Sequence, residues 1–169
     1  MALSEALLPE YDQEMAVTRR ALERAPGDQF GWKPHEKSMS LGYLASHLAQ
    51  IPQWGCIALD TENYDVAPPD GEPERIEAAE TPAALLAMFD DNAAKAREAI
   101  AAASDGRLMA EWTLLSGAAA VITLPRIAVL RSFVMNHSIH HRGQLSVYYR
   151  LLGVPVPAMY GPSADEQGF

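Results

Sequence analysis

Three histidines in this chain have the spacing of metal ligands. His137 and His141 are four residues apart in Phe133–Tyr149, a segment that reads as helix. Residues at i and i+4 share a helix face, so both rings can aim at one point. His47 lies on an earlier helix, in Gly42-Tyr-Leu-Ala-Ser-His47-Leu-Ala-Gln. A third ring from a facing helix makes a three-His site with open coordination positions. That pattern suits a catalytic or substrate-binding metal better than a closed structural one. Taken singly, each of these histidines reads as an ordinary hydrogen-bonded core or surface residue.

The stripe Leu130, Val134, His137, His141, Gln144, Tyr148 has helical spacing throughout. The histidines thus stand where apolar residues should enter the core, and His47 does the same in Leu44, His47, Ile51, Trp54, Ala58. A buried neutral imidazole has a donor and an acceptor to satisfy, and a shared divalent ion satisfies three rings at once. His140 is turned about 60° from His137 and about 100° from His141 around a helix, so it reads as flanking. His35 reads as an exposed loop residue. His137-Ser-Ile-His-His141 is not a zincin motif, because Ser138 stands where the general-base Glu is needed. A base would have to come from Asp12, Glu14, Asp165 or Glu166, each of which reads first as a solvated surface carboxylate. Gly143 inside a strong helix predicts a close backbone approach. Arg142 reads as a binder of anions or the partner of a surface acid. Tyr148 and Tyr160 read as ligand hydroxyls or packing residues, and Cys56 as a small buried residue.

Four amphipathic helices must position these residues. The first runs from about Ser4 to Ala25, with Leu7, Leu8, Tyr11, Met15, Thr18 and Leu22 recurring at three or four residues. The second runs from an N-cap at Ser40 to about Thr61, bent at Pro52. The third follows Thr81-Pro82 and spans Ala83–Ala103. The fourth runs from Thr123 to Leu152 and stops at Gly153. The acidic, proline-bearing stretch 62–80 reads as a solvated connection, and the runs flanking Ser116-Gly117 as a short β-hairpin. The expectation is one all-α domain over 1–169, a four-helix bundle with a hairpin before the last helix.

Composition narrows the function. The 169 residues are 49 % hydrophobic and 21 % charged, with a net charge of −9. No basic patch appears, which disfavours nucleic acid and anionic membranes as partners. One cysteine, no apolar run of membrane-spanning length and an N-terminus unlike a signal peptide make the cytoplasm the expected location.

Trp32-Lys-Pro-His35-Glu-Lys-Ser38-Met-Ser-Leu-Gly42 with Leu44-Ala-Ser-His47-Leu-Ala resembles the DinB-like family of bacterial candidate metalloenzymes. So do Asn136-His137-Ser-Ile-His-His141-Arg-Gly-Gln-Leu145, Tyr149-Arg-Leu-Leu-Gly153-Val-Pro-Val-Pro and Tyr160-Gly-Pro-Ser-Ala-Asp-Glu166. The resemblance spans almost the whole chain. It implies an up-down-down-up bundle, often homodimeric, with a divalent metal, zinc or nickel, on His47, His137 and His141. Related members look like transferases or isomerases that use low-molecular-weight thiols. The resulting expectation is a metal-dependent enzyme acting on a small molecule, by thiol S-transfer or hydrolysis. The alternatives are a non-catalytic metal- or ligand-binding protein and histidines of purely structural use.

Overall fold

The computed structural model describes residues 2–72 and 75–167. The chain is mostly helical with a small three-stranded sheet. Helix α1 (Leu3–Leu22) buries Leu7, Tyr11, Met15, Thr18 and Leu22 of the periodic face read from the sequence and leaves Leu8 half-buried. Helix α2 (Leu41–Gln50) begins at Ser40, whose side chain accepts from the Tyr43 N–H. Helix α3 (Gln53–Asp60) follows after two residues. The bend expected at Pro52 is thus a break in pairing. Proline offers no N–H, and the chain crosses on i→i+3 bonds, from Trp54 N–H to Ile51 C=O and from Gly55 N–H to Pro52 C=O. Ile51 and Pro52 keep right-handed helical torsions. Gly55 lets α3 lie close to the next long helix, for a Cβ there would stand 3.3 Å from that of Ala96.

Strand β1 (Asn63–Asp65) lies in the stretch expected to be a plain connection. Pro73 of that stretch is outside the described residues. Helix α4 (Pro82–Ala102) starts as predicted, with Thr81 capping the Ala84 N–H and proline in the first turn. After the short α5 (Asp105–Met109) comes the expected hairpin, β2 (Glu111–Ser116) and β3 (Ala119–Pro125). Its turn centres on Gly117 and Ala118, both at positive φ, one residue later than Ser116-Gly117. Asp65 holds that turn by accepting from the N–H groups of Gly117 and Ala118. β1 pairs parallel to β2, which pairs antiparallel to β3.

The expected start of the last helix at Thr123 moves to Arg126, because β3 runs on to Pro125. One turn, α6 (Arg126–Val129), leads into a π-helical stretch, Leu130–Asn136, and then into α7 (His137–Leu152). Gly153 closes α7 at φ 71°, the left-handed conformation that favours glycine. α1 and α2 each pack against α4 and α7. Their common core includes Leu7, Leu44, Leu48, Phe89, Val134 and Leu145. No helix among the described residues is long and apolar enough to cross a membrane.

Candidate metal centre

α2 carries His47 against the first turn of α7, which carries His137 and His141. The ligand nitrogens of the three rings lie within 4.8 Å of one another. His141 Nε2 is 2.8 Å from His137 Nε2, and His137 Nε2 is 3.3 Å from His47 Nε2. Tetrahedral zinc with Zn–N of about 2.0–2.1 Å spaces its ligand nitrogens about 3.3 Å apart, so the cluster is close to the size of a metal site.

Proton placement strengthens the fit. Gln144 directs its Nε2 at His140 Nε2 (3.2 Å) and its Oε1 at His141 Nδ1 (2.8 Å). The His141 proton therefore belongs on Nδ1, an assignment made from its partners. The Phe133 backbone carbonyl raises the His137 pKa, as an acceptor beside the ring does, and favours a proton on Nδ1. With both protons assigned to Nδ1, the two Nε2 atoms present lone pairs to each other across 2.8 Å. A proton on His47 Nε2 can serve one of them but not the whole group. A shared cation serves all three.

The π-helical stretch supplies part of this arrangement. Phe133, whose carbonyl acts on the His137 ring, lies within that stretch. Burial, then the neighbouring His141 and His137 rings, lower the His47 pKa to about 4. Burial lowers His137 and His141 as well, opposed by their bonds to Phe133 and Gln144. All three rings are thus held neutral at pH 7, the form that binds metal.

A cavity of about 350 Å³ opens at His137, beside Ser132, Phe133 and Asn136, and two more flank the cluster. One of about 360 Å³ borders His141, Gln144, Tyr148, Met39 and Leu44. The other, of about 200 Å³, borders His47, Gln50, Trp54 and Arg75. Tyr148 donates its hydroxyl to the Met39 carbonyl and packs edge-on against Trp32, so it shapes the wall of the cavity beside Gln144.

The other candidates separate from the centre. Asp12 pairs with Arg97, Asp165 with Arg150 and Glu166 with Arg24. Glu14 is buried against Arg142. No carboxylate joins the three histidines among the described residues. Arg142 is 1 % exposed, and neither a surface partner nor an open anion site fits it. It donates to the Glu14 carboxylate and carbonyl, to Thr18 Oγ1 and to the Tyr160 hydroxyl. Tyr160 is therefore part of that cluster. Gly143 points away from the fold, and a Cβ there would meet nothing within 4 Å, so the expected close approach is absent. Gly42 and Gly55 hold the close approaches instead, against Phe30 and Ala96. His140 is exposed and flanking, His35 is an exposed loop residue, and Cys56 is half-buried. The sequence reading missed the part played by Gln144, although its place three residues after His141 on one helix face was a usable signal.

Known proteins agree with this arrangement of helices. A stretch of 37 residues, 22 % of each chain, is 46 % identical to the uncharacterised protein YrdA of Bacillus subtilis. The crystal structure of a DinB-like protein from Bacillus cereus superposes with a TM-score of 0.72 at 19 % identity, covering 92 % of this chain and 97 % of that one. A second, the DinB-like protein YjoA from Bacillus subtilis, gives 0.67 at 22 % identity, with coverage of 90 % and 96 %. At these identities the likeness is one of fold. The sequence profile of the DinB family matches residues 2–167, and the chain belongs to the DinB family.

Proposed function

We propose that His47, His137 and His141 hold one divalent metal ion, zinc or nickel, and that the protein is a metal-dependent enzyme acting on a small molecule. The observation that carries this reading is the convergence of three imidazole nitrogens within 4.8 Å, with those of His137 and His141 2.8 Å apart. A divalent ion bound there lowers the pKa of a thiol or water admitted to an open position. The chain's own residues fix the rings through Gln144 and the Phe133 carbonyl and leave cavities on two sides. Hydrolysis commonly needs a general base, and the carboxylates considered for it are committed to arginines. A thiol starts from a far lower pKa than water and ionises on the metal more readily, which favours transfer from a low-molecular-weight thiol over hydrolysis.

This reading takes α1, α2 with α3, α4 and the α6–α7 run as the members of an up-down-down-up bundle working in the cytoplasm. Val147 and Leu151, exposed one turn apart on α7, offer an apolar face for a homodimer.

Metal analysis of the untagged protein tests the centre. About one divalent ion per chain is expected, lost in His47→Ala and in His137→Ala. No binding after incubation with zinc, nickel or manganese would refute it. Metal binding with no reaction between small thiols and a chromogenic electrophile would instead favour a non-catalytic binding protein.

A further inference from the structure

The smaller cavity contains a cation that the metal reading does not use. Arg75 and Ile76 form one wall, facing His47, Ile51 and Trp54. Their segment is fastened along α2. The Gln50 side chain donates to the Glu77 carbonyl at 2.7 Å and accepts from the Glu77 N–H at 3.3 Å. One turn earlier, Ser46 Oγ accepts from the buried Ala79 N–H at 2.8 Å. Ser46 and Gln50 bracket His47 in sequence, so the helix that presents the imidazole also anchors the strap that carries Arg75.

Arg75 is also exceptional in its pairing. Arg19, Arg24, Arg97, Arg107, Arg126, Arg131, Arg142 and Arg150 all meet carboxylates. Arg20 reaches the Ala158 carbonyl. Among the described residues, Arg75 alone of the arginines has no hydrogen bond or ion pair, in a chain of net charge −9. A guanidinium left free in a concave site, beside an indole and two isoleucines, matches an oxyanion on a small organic body. The volume of about 200 Å³ lies below the roughly 300–1,000 Å³ usual for larger ligands.

We propose that Arg75 is a specificity residue that holds the oxyanion of a small organic substrate, a carboxylate or phosphate ester, while the rest of the molecule lies on Trp54 and Ile76 with its reacting end at His47. This rests on the metal reading for where the reacting end lies.

The test uses cobalt-loaded protein, with the visible spectrum of the metal and calorimetry as readouts. The probes are benzoate, phenyl phosphate and neutral benzamide. One of the two anions is expected to bind and shift the spectrum, benzamide to bind far more weakly, and Arg75→Gln to weaken the anion about tenfold or more. Lys95→Gln removes a like charge on α4 and should leave binding unchanged. Tighter binding of benzoate or of phenyl phosphate assigns the oxyanion, and either upholds the role of Arg75. Equal binding by parent and Arg75→Gln overturns it, since the anion then rests on the metal alone; equal binding of benzamide and benzoate also overturns it. Failure to load cobalt counts against the metal reading instead. Calorimetry on the metal-free chain then decides Arg75: anion binding lost in Arg75→Gln upholds the role, and no binding overturns it.

Discussion

His141 and Arg142 are neighbours on one helix, yet they enter two opposite kinds of polar cluster. Arg142 turns toward α1, where Glu14 and Thr18, with Tyr160 of the C-terminal tail, receive its guanidinium. Donors and acceptors there match, and the cluster is closed. His141 turns toward α2, where three rings converge and, with protons assigned to the Nδ1 atoms, His137 and His141 set two acceptors 2.8 Å apart. A satisfied cluster holds a fold together, whereas one short of a cation is suited to receive one. Burial alone does not separate the two, for His141 is 7 % exposed and Arg142 1 %. The count of donors against acceptors does.

The largest effect should come from breaking the closed side. Arg142→Met leaves the Glu14 carboxylate buried without its partner and should cost about 3–5 kcal/mol of stability in urea unfolding. Metal content per folded chain should stay the same. Loss of metal from a folded Arg142→Met protein would mean that the two clusters are not independent. On the open side, Gln144→Leu keeps all three ligands but frees the His141 ring. It should weaken metal binding about 10–100-fold with little change in unfolding, because Gln144 is exposed. Unchanged affinity would remove Gln144 from the centre.

The smallest effect is one of pH on the metal-free protein. The His47 pKa is depressed from 6.5 to about 4, so between those values the unfolded chain binds more protons than the folded one. The stability tied to a neutral His47 is therefore full above pH 6.5 and falls as the pH drops toward 4. His137 and His141, depressed in the same direction, add to the slope. Unfolding at pH 7, 5.5 and 4.5 should show a shallower loss in His47→Ala than in the parent. Equal slopes would show that water reaches the ring freely.

The sequence was legible where local rules decide. Thr81-Pro82, Ser40 and Gly153 marked real helix ends, because caps and left-handed glycines act over a few residues. The histidine cluster was legible because i, i+4 spacing fixes direction on a helix. Arg142 was not, because its burial depends on Glu14, 128 residues away. Strand β1 was hidden for a similar reason. Three residues carry no periodicity, and their pairing depends on Thr113–Leu115. Arg126 belongs with these. It is fully buried and donates to the Ala58, Thr61 and Glu111 carbonyls, tying the end of α3 to the sheet. The π-helical stretch left no trace either, since Leu130 and Val134 fall on the buried face with or without it.

That wide stretch makes the chain's length here a matter of angle. Leu130 and Val134 are fixed in the core on one side of the junction, and His141 and Leu145 on the other. Each residue gained or lost in a continuous α-helix rotates everything beyond it by about 100°. Seven residues in wide turns absorb one residue more than the tighter winding would, and so keep the histidines aimed at α2. The chain around Leu130–Asn136 can therefore exchange residue types far more freely than residue number, for a one-residue deletion would swing the imidazoles off their shared point while leaving every side chain chemically intact.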